Sequence, residues 1–314
     1  MNPQNNQEKN EMLMSVVITC YREEKLLNEA VDSVMNQTLL PKEIIIVNDA
    51  SSHVETNQVC QELEKNSAIR LVWRDENGGP SVARNHGFQI ATGEILVPLD
   101  ADDLLPVNAL QLIYNAFAQN PNIGFVYGNY SRQDRSHTLA KIITPGDIAL
   151  AQTLKAKPFS VSTHWQLLGS GPMRRSLWQT LEGYDPNFGV EDLHDLEFWL
   201  RAIAAGVAYS YIPEVIYIWR KYLGGNTQQV TPIAWYRIAK KYFDIYQSVG
   251  LQYRAIELIL LGAKWNNNSA EVKDYSRQLW QCILAGQFQF SSLIILFIPS
   301  CFFNFLIKNR FIKR

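Results

Sequence analysis

Short apolar runs alternate with helical periodicity along the first 130 residues. Five runs are apolar at nearly every position and predict strands buried on both faces of a sheet: residues 14–21, 43–49, 69–75, 94–100 and 123–130. In the intervals between these runs, apolar side chains recur at helical spacing. Strands that alternate with helices predict an α/β fold, with a mostly parallel, Rossmann-like sheet flanked by helices.

The pattern divides the chain into three regions. The polar residues 1–12 are expected to form a disordered lead, and they lack the apolar stretch of a secretory signal peptide. Residues 13–230 form the predicted α/β domain, which is less regular over 131–230 apart from a strong helical pattern at 192–206. A helical C-terminal region with many aromatic residues follows over 231–314.

Composition excludes several classes of protein. The 314 residues carry a formal net charge of −1 and are 47% hydrophobic, which is typical of a folded chain with a core. A near-neutral balance gives no general attraction to nucleic acid, so no nucleic-acid partner is expected. The four cysteines form no CxxC pair. This favours reduced thiols in a cytoplasmic protein over a zinc site or a disulfide framework.

Three carboxylates stand together where the fourth apolar run ends, in EILVPLDADDLL. Asp100 and Asp102 share one face of an extended chain, whereas Asp103 points elsewhere. Two oxygen ligands on one face suit Mg²⁺ or Mn²⁺, and a cation offsets the repulsion between the carboxylates. The alternative is a loop whose aspartates cap the helix predicted to begin near Pro106, a role that suits Asp103.

Polar residues also follow the first two apolar runs. Thr19 and Tyr21 stand at the end of the first run, and Asp49 and Ser51 follow the second. In parallel sheets, ligands bind beyond the carboxyl ends of the strands. Together with the aspartates of the fourth run, these residues predict one binding site along one edge of the sheet.

Two stretches, SVVITCYREEKLLNEAVDSVMNQTLLPKEIIIVNDASS and NGGPSVARNHGFQIATGEILVPLDADD, resemble the family 2 glycosyltransferases, which have the GT-A fold. The resemblance covers residues 14–128 and resumes at GYDPNF and LHDLEFWLR, as far as residue 201. An Asp-x-Asp motif is weak by itself. Here it is specific, because VNDAS and GPSVARN precede it in the family's order.

The resemblance assigns roles in donor binding. Asp49 of VNDAS would bind the base or ribose of a nucleotide-sugar, and Thr19 and Tyr21 would border the same pocket. Arg84 of the ARN segment would lie near the base and the diphosphate, and Arg220 would contact a phosphate. The alternatives are a strand-end turn residue for Asp49 and a solvated helix arginine for Arg84.

The resemblance also divides the α/β domain into a nucleotide-binding half, 13–130, and an acceptor half, 131–230. Asp100 and Asp102 would hold Mg²⁺ or Mn²⁺ together with the ribose of the donor. The cation would neutralise charge that builds on the departing diphosphate.

A catalytic base for the acceptor hydroxyl is expected near the start of the helix that ends in FWLR. Members of the family usually carry a Glu-Asp pair there, and counting back from FWLR puts the aspartate at Asp195 and His194 in the place of the glutamate. Glu191 lies one helical turn from Asp195 and would orient or tune it. The literal pair Glu191-Asp192 is the competing alignment, so Asp192 is the second candidate for the base.

The predicted function is metal-dependent, inverting transfer of a hexose from a nucleotide-sugar to a saccharide or lipid-linked acceptor, in polysaccharide or glycan biosynthesis. A UDP-sugar is the expected donor, and one base without a second nucleophile implies a single displacement. The alternative is a catalytically silent scaffold of the same fold that binds saccharides or nucleotides. A nicotinamide-dependent oxidoreductase would need GxGxxG after the first strand, where TCYREEK has no glycine. A sugar nucleotidyltransferase would need a glycine-rich basic loop at the same place.

The end of the chain, residues 288–314, is an apolar and amphipathic tail. Pro299, Ser300 and Asn304 interrupt its apolar core, which is short for a transmembrane span, and basic residues follow. An interfacial helix in peripheral contact with the inner face of a membrane is therefore expected. The alternative is a helix that packs on the protein or on a partner subunit.

Overall fold

The computed structural model describes residues 13–133, 141–146, 148–155, 171–188, 193–220 and 232–305. A mixed sheet of eight strands organises the first 220 residues: β1 (Met14–Cys20), β2 (Glu43–Asn48), β3 (Ile69–Trp73), β4 (Ile95–Asp100), β5 (Phe125–Gln133), β6 (Lys141–Ile143), β7 (Met173–Arg174) and β8 (Tyr209–Arg220). The strand order is β3-β2-β1-β4-β7-β5-β6, and β8 pairs with β5. The predicted α/β fold with a mostly parallel sheet is confirmed.

The first four strands pair in parallel, in the order β3-β2-β1-β4. Thr19 on β1 lies opposite Asp100 on β4, and Cys20 lies opposite Asn48 on β2. This register aligns the carboxyl ends of the three strands. The polar residues that follow each strand therefore meet at one edge of the sheet.

Twelve α-helices are assigned within the described residues: α1 (Lys25–Met35), α2 (Val54–Leu63), α3 (Gly79–Ile90), α4 (Ala109–Gln119), α5 (Leu150–Leu154), α6 (Arg175–Thr180), α7 (His194–Ala204), α8 (Pro232–Lys241), α9 (Phe243–Ser248), α10 (Gln252–Trp265), α11 (Ser269–Leu284) and α12 (Phe290–Phe297). Helical residues continue at 300–305. The predicted helical C-terminal region is thus confirmed. Within the described residues, no helix has both the length and the apolarity to cross a bilayer.

The sheet has a core on each face, because successive side chains of a strand point in opposite directions. Val16 and Ile18 of β1 pack in one core together with α1 and α4. Val17, between them, packs in the other core with Phe88 of α3 and Phe198 of α7. Both faces are buried, which explains why these strands are apolar at nearly every position.

A third core joins α7 to the C-terminal helices. Leu196 and Leu200 of α7 pack with Trp235 and Ile238 of α8 and with residues of α10. The same contact has a buried polar centre at Glu197. Helix α7 is thus held between the sheet and the C-terminal region.

Glu197 of α7 is fully buried and is surrounded by donors. Its carboxylate accepts two hydrogen bonds from Arg201, at 2.9 and 2.8 Å, and one from the Lys241 Nζ at 2.9 Å. The Tyr242 hydroxyl donates to it as well. These contacts fix the register of α7 against α8.

The sheet contains three strands that the apolar pattern does not predict. The three-residue strand β6 is antiparallel to β5, the two-residue strand β7 stands between β4 and β5 and is antiparallel to both, and β8 lies alongside β5. The predicted lead and residues 306–314 of the tail lie outside the described residues. The boundary at residue 230 falls between described segments and stays a prediction.

Candidate active site

Asp49 is buried just after β2 and holds the loop that leads into α3. Its carboxylate accepts from the Arg74 Nε at 2.7 Å and from the backbone N–H groups of Gly78, at 3.1 Å, and Gly79, at 2.7 Å. Gly79 has φ of 78°, a conformation that favours glycine. Asp49 therefore shapes the edge of the site, and its contact with a nucleotide stays a prediction.

The first strand ends beside the carboxylates of the fourth. The Ala101 N–H donates to the Thr19 carbonyl at 3.3 Å, so the start of the Asp-x-Asp turn is tied to β1. The Tyr21 ring meets His53 edge-on at 5.8 Å, and the Tyr21 carbonyl accepts from the Ser51 hydroxyl. Thr19 and Tyr21 thus border the same sheet edge as Asp49 and Asp100, as expected.

One carboxylate oxygen from each of Asp100, Asp102 and Asp103 lies within 4.8 Å of the others. Burial and the negative charges of Asp100 and Glu23 raise the pKa of Asp102 to about 7. A divalent cation would relieve this repulsion, and oxygen donors at this spacing fit Mg²⁺ or Mn²⁺. The structure therefore supports the fit of a metal to this cluster.

Asp103 is hydrogen-bonded to strand β8 of the sheet. Its two oxygens accept from the Tyr217 hydroxyl at 2.6 Å and from the Arg220 N–H at 2.7 Å, both on β8. Helix α4 begins at Ala109, after Asn108. The expectation that Asp103 caps that helix is therefore wrong, because both of its oxygens hold β8 against the Asp-x-Asp turn.

Arg84 is a buried residue of α3 that reaches across the site. One terminal nitrogen pairs with the Asp100 carboxylate, and the other lies 2.6 Å from the His194 Nε2. The guanidinium also lies 5.7 Å from the centre of the Tyr184 ring. The solvated-arginine alternative is wrong, since Arg84 is buried and joins the Asp-x-Asp turn to the start of α7.

His194 is a half-buried acceptor at the first residue of α7. Burial, and then the charge of Arg84, hold the pKa of His194 well below its usual value, so the ring is neutral. A guanidinium only donates, so Nε2 accepts and Nδ1 carries the proton. That Nδ1 is buried and has no hydrogen-bond partner in the described part of the chain.

Asp195 follows in the first turn of α7 and is half-buried. Its Oδ1 accepts from the Leu196 N–H at 2.8 Å. The His194–Arg84–Asp100 contacts bring this end of α7 to the carboxylate cluster, so the structure groups Asp195 with the predicted metal ligands. Glu191 and Asp192 lie outside the described residues, and their roles stay predictions.

Arg220 lies at the end of β8, on the other side of the aspartate turn. Its buried guanidinium donates through Nε to the Asp102 carbonyl at 2.5 Å and pairs with Glu29 of α1. It ties α1, the turn and β8 together. Its contact with a phosphate stays a prediction.

Several residues of the site have no role in the sequence prediction. Arg74 binds Asp49, and Glu23 lies close enough to raise the pKa of Asp102. Tyr184 lies beside Arg84, and Tyr217 binds Asp103. For Arg74 a usable signal existed, because it stands at the end of the third apolar run, directly after β3, and β3 pairs with β2, the strand that Asp49 follows.

A family model describes this part of the chain. The model for "Glycosyl transferase family 2" matches residues 15–180, more than half of the chain. The chain belongs to glycosyl transferase family 2. Its resemblance to the family's motifs is thereby confirmed.

Two curated relatives illustrate the range of the family. The chain is 26% identical to a poly-beta-1,6-N-acetyl-D-glucosamine synthase of Staphylococcus epidermidis over 249 residues, 74% of the chain and 59% of the relative. It is 29% identical to the UDP-Glc:alpha-D-GlcNAc-diphosphoundecaprenol beta-1,3-glucosyltransferase WfgD of Escherichia coli over 143 residues, 46% of the chain and 55% of WfgD. The chain thus spans less than two thirds of either relative.

A solved structure shares the fold. The crystal structure of S. aureus TarS 1–349 in complex with UDP-GlcNAc matches with a TM-score of 0.56 and 16% identity. The match covers 79% of this chain and 70% of the TarS chain. At this identity the likeness establishes the fold, and it confirms the predicted GT-A-like architecture.

Proposed function

We propose that the protein transfers a hexose from a UDP-sugar to a hydroxyl group of a saccharide or lipid-linked acceptor, with inversion at the anomeric carbon. One observation carries this proposal: Asp100 and Asp102 lie together at the sheet edge, and Arg84 joins them to the end of α7 that bears Asp195. Metal ligands for a diphosphate and a candidate base thus belong to one site.

The donor class is proposed from the relatives. TarS, which shares the fold, was crystallised with UDP-GlcNAc, and the name of WfgD specifies a UDP-linked glucose donor. The pocket edge formed by Thr19, Tyr21 and Asp49 is where the base and ribose would lie. UDP is therefore the nucleotide to test first, and the acceptor belongs to polysaccharide or glycan biosynthesis.

Asp100 and Asp102 would hold Mg²⁺ or Mn²⁺. When bound, the cation neutralises negative charge on the departing diphosphate. Arg84 holds the Asp100 carboxylate in place from the protein side, so one oxygen of Asp100 is positioned before any ligand arrives. Arg220 fixes the backbone of the same turn through the Asp102 carbonyl.

Asp195 is the proposed base. It would accept the proton of the acceptor hydroxyl while that oxygen attacks the anomeric carbon and the bond to the diphosphate breaks. The N-terminus of a helix stabilises an ionised carboxylate, which keeps Asp195 ready to accept a proton at neutral pH. A single displacement with one base inverts the configuration.

A thermal-shift titration tests the donor site. UDP, GDP, TDP and CDP are each added with and without Mn²⁺, because a ligand that binds only the folded state raises Tm. A shift with UDP that requires Mn²⁺ and is lost in Asp102→Asn supports the proposal. A UDP shift that is independent of metal and unchanged in Asp102→Asn would refute the metal dependence.

Comparing Asp195→Asn with Asp192→Asn tests the base. Loss of sugar transfer with retained UDP binding in Asp195→Asn, and near-normal transfer in Asp192→Asn, supports Asp195. The opposite result assigns the base to Asp192.

The same proposal places the enzyme in the cytoplasm at the inner face of a membrane, where a lipid-linked acceptor would be available. WfgD acts, by its name, on a diphosphoundecaprenol-linked sugar. For this chain, peripheral contact through the C-terminal tail would bring the site to such an acceptor.

A further inference from the structure

Exposed apolar side chains are concentrated near the C-terminal end of the described residues. Seventeen large hydrophobic side chains are exposed in the described residues, and eight of them belong to α11, α12, the loop between these helices and residues 300–305. We call these eight the C-terminal apolar face: Trp280, Leu284, Phe288, Phe290, Ile294, Phe297, Phe302 and Phe305. Scattered exposed apolar residues are ordinary, whereas a concentration of this kind marks an interaction surface.

Helix α12 turns polar groups inward and aromatic rings outward. Ser292 is fully buried and donates to the buried carboxylate of Glu257 on α10. Lys264, also on α10, donates at 2.6 Å to two carbonyls at the C-terminal end of α12. Phe290 and Phe297, in contrast, are 77% and 69% exposed. A surface helix that faces water has the opposite arrangement, with its apolar side chains toward the core and its polar side chains in solvent.

The segment after α12 repeats the arrangement. Asn304 is buried and donates to the Lys264 carbonyl at 3.2 Å and to the Asn267 Oδ1 at 3.1 Å, while Phe302 and Phe305 are exposed. Both segments are therefore held by specific hydrogen bonds in the orientation that exposes Phe290, Phe297, Phe302 and Phe305, while Phe303 packs in the core. The exposure is built into the fold and is not the result of a loose end.

The face is continuous between helices. The rings of Trp280 on α11 and Phe297 on α12 meet edge-on, with centroids 6.3 Å apart. The face therefore spans both helices and the segment that follows them, so it presents a broad surface to a partner.

Charge along the sequence indicates which partner fits. After Asp274 the sequence has no acidic residue, and its basic residues are Arg277, Lys308, Arg310, Lys313 and Arg314. Four of these come within the nine residues that directly follow the face. Basic residues next to exposed aromatic residues complement a surface that is apolar inside and anionic at its boundary.

We infer that the C-terminal apolar face docks on the surface of an anionic lipid bilayer. Phe290, Ile294, Phe297 and their neighbours enter the boundary between head groups and acyl chains, and the adjoining basic residues meet anionic head groups. The inference deepens the peripheral membrane contact of the proposed function, because it names the folded surface that makes the contact and extends it from the tail to α11. It needs neither a donor nor an acceptor to be tested.

Vesicle co-sedimentation of the full chain provides the test. Vesicles of phosphatidylcholine alone are compared with vesicles in which about a quarter of the lipid is phosphatidylglycerol. The wild type is expected to bind the anionic vesicles. The variant Phe290→Ser/Ile294→Ser/Phe297→Ser is expected to raise the lipid concentration for half binding by about tenfold or more, because it removes the apolar contact.

The matched control is Leu40→Ser/Val107→Ser/Ile142→Ser. It removes three exposed apolar side chains far along the chain from the face and is expected to bind vesicles as the wild type does. All six side chains are exposed, so both variants should keep the Tm of the wild type. Equal vesicle binding by the two triple variants would overturn the inference.

Changing Lys308, Arg310, Lys313 and Arg314 to glutamine separates charge from apolar contact. Binding to anionic vesicles is expected to weaken and to lose its dependence on salt. Light scattering without lipid tests the other occupant, a second copy of the chain. If the wild type were a dimer, the Phe290 triple variant a monomer, and neither bound vesicles, the face would be a subunit interface and the inference would be wrong.

Discussion

Asp102 shows most clearly how the fold changes the chemistry of one residue. Burial and the charges of Asp100 and Glu23 raise its pKa to about 7, although an aspartate in water titrates near 3.9. Such crowding destabilises the metal-free protein at neutral pH. The same crowding makes the site receptive to a divalent cation, which binds the deprotonated carboxylate.

The affinity for Mn²⁺ should therefore depend on pH. Below pH 7 a proton competes for Asp102, so the apparent affinity is expected to fall by about tenfold per pH unit, while above pH 7 it should level off. Calorimetric titration of the protein with Mn²⁺ between pH 5.5 and 8.5, a range set about the pKa of Asp102, measures this. Asp102→Asn is expected to bind Mn²⁺ weakly at every pH, and a wild-type affinity that does not vary with pH would contradict the prediction.

His194 should stabilise the protein as a hydrogen-bond acceptor for Arg84. His194→Leu leaves a buried guanidinium N–H without its acceptor and is expected to lower the free energy of unfolding by about 1–3 kcal/mol. His194→Gln keeps an acceptor and should recover much of the loss. Urea unfolding measures both, and equal stability of the leucine and glutamine variants would show that the acceptor is unimportant.

The loss of stability at low pH should also depend on His194. The pKa of His194 is lower in the folded protein than in the unfolded chain, so the unfolded chain binds the proton first as pH falls. The wild type therefore loses stability as pH drops below about 6.5, and His194→Gln should lose less over that range.

Helix α7 is the element on which the catalytic proposal depends. Its N-terminal end meets Arg84, whereas its middle is fixed by Glu197 to Lys241 and Tyr242 of the C-terminal region. The position of Asp195 is thus set by contacts on both sides of it in the helix, through His194 to Arg84 and through Glu197 to the C-terminal region.

Glu197→Ala should therefore destabilise the protein. It leaves Arg201 and Lys241 without their shared carboxylate, and the free energy of unfolding is expected to fall by about 2–3 kcal/mol, since both cations keep some contact with water. Glu62→Ala is the matched control, because Glu62 pairs with Lys65 at an exposed site. That control should change stability by less than about 1 kcal/mol in the same urea titration.

Sequence periodicity predicted the elements that carry strong local patterns and missed those that depend on distant partners. Strands β1, β2 and β4 were predictable because both of their faces are buried. Strand β7 has only Met173 and Arg174, too short a stretch for any periodicity. Strand β8 contains Pro213, a residue that interrupts strand patterns, and it forms along β5.

The candidate site likewise contains residues that local motifs predict and contacts that depend on distant partners. Asp49, Arg84 and the Asp100–Asp102 pair stand in motifs that the sequence displays directly. The contact between Arg84 and His194 joins residues that are 110 positions apart, and no local pattern encodes it. The contact forms only when α7 packs against the sheet in the folded protein.

At the scale of the whole molecule, the described residues form three hydrophobic cores that are connected through the sheet and α7. Two lie on the faces of the sheet, and the third joins α7 to the C-terminal helices through Leu196 and Leu200. The C-terminal region therefore completes the catalytic domain, since α7 belongs to two cores at once.

A chain that ends at residue 231 should consequently be poorly folded around α7. It would expose Leu196 and Leu200 and leave Glu197 without Lys241 and Tyr242. Such a protein is expected to bind a hydrophobic dye and to be cleaved by protease near α7, unlike the full chain. Protease resistance equal to that of the full chain would show that the third core is dispensable.

The seat of α7 on the C-terminal helices has an evolutionary consequence. The residues proposed to bind the nucleotide, apart from Arg220, lie within the segment matched by the family model, 15–180, whereas α7 and the helices that hold it come after that segment. The two parts can therefore diverge at different rates. Under the proposed function, a lineage can keep its donor while α8 to α12 change, shift the position of Asp195 by small repacking, and so acquire a new acceptor.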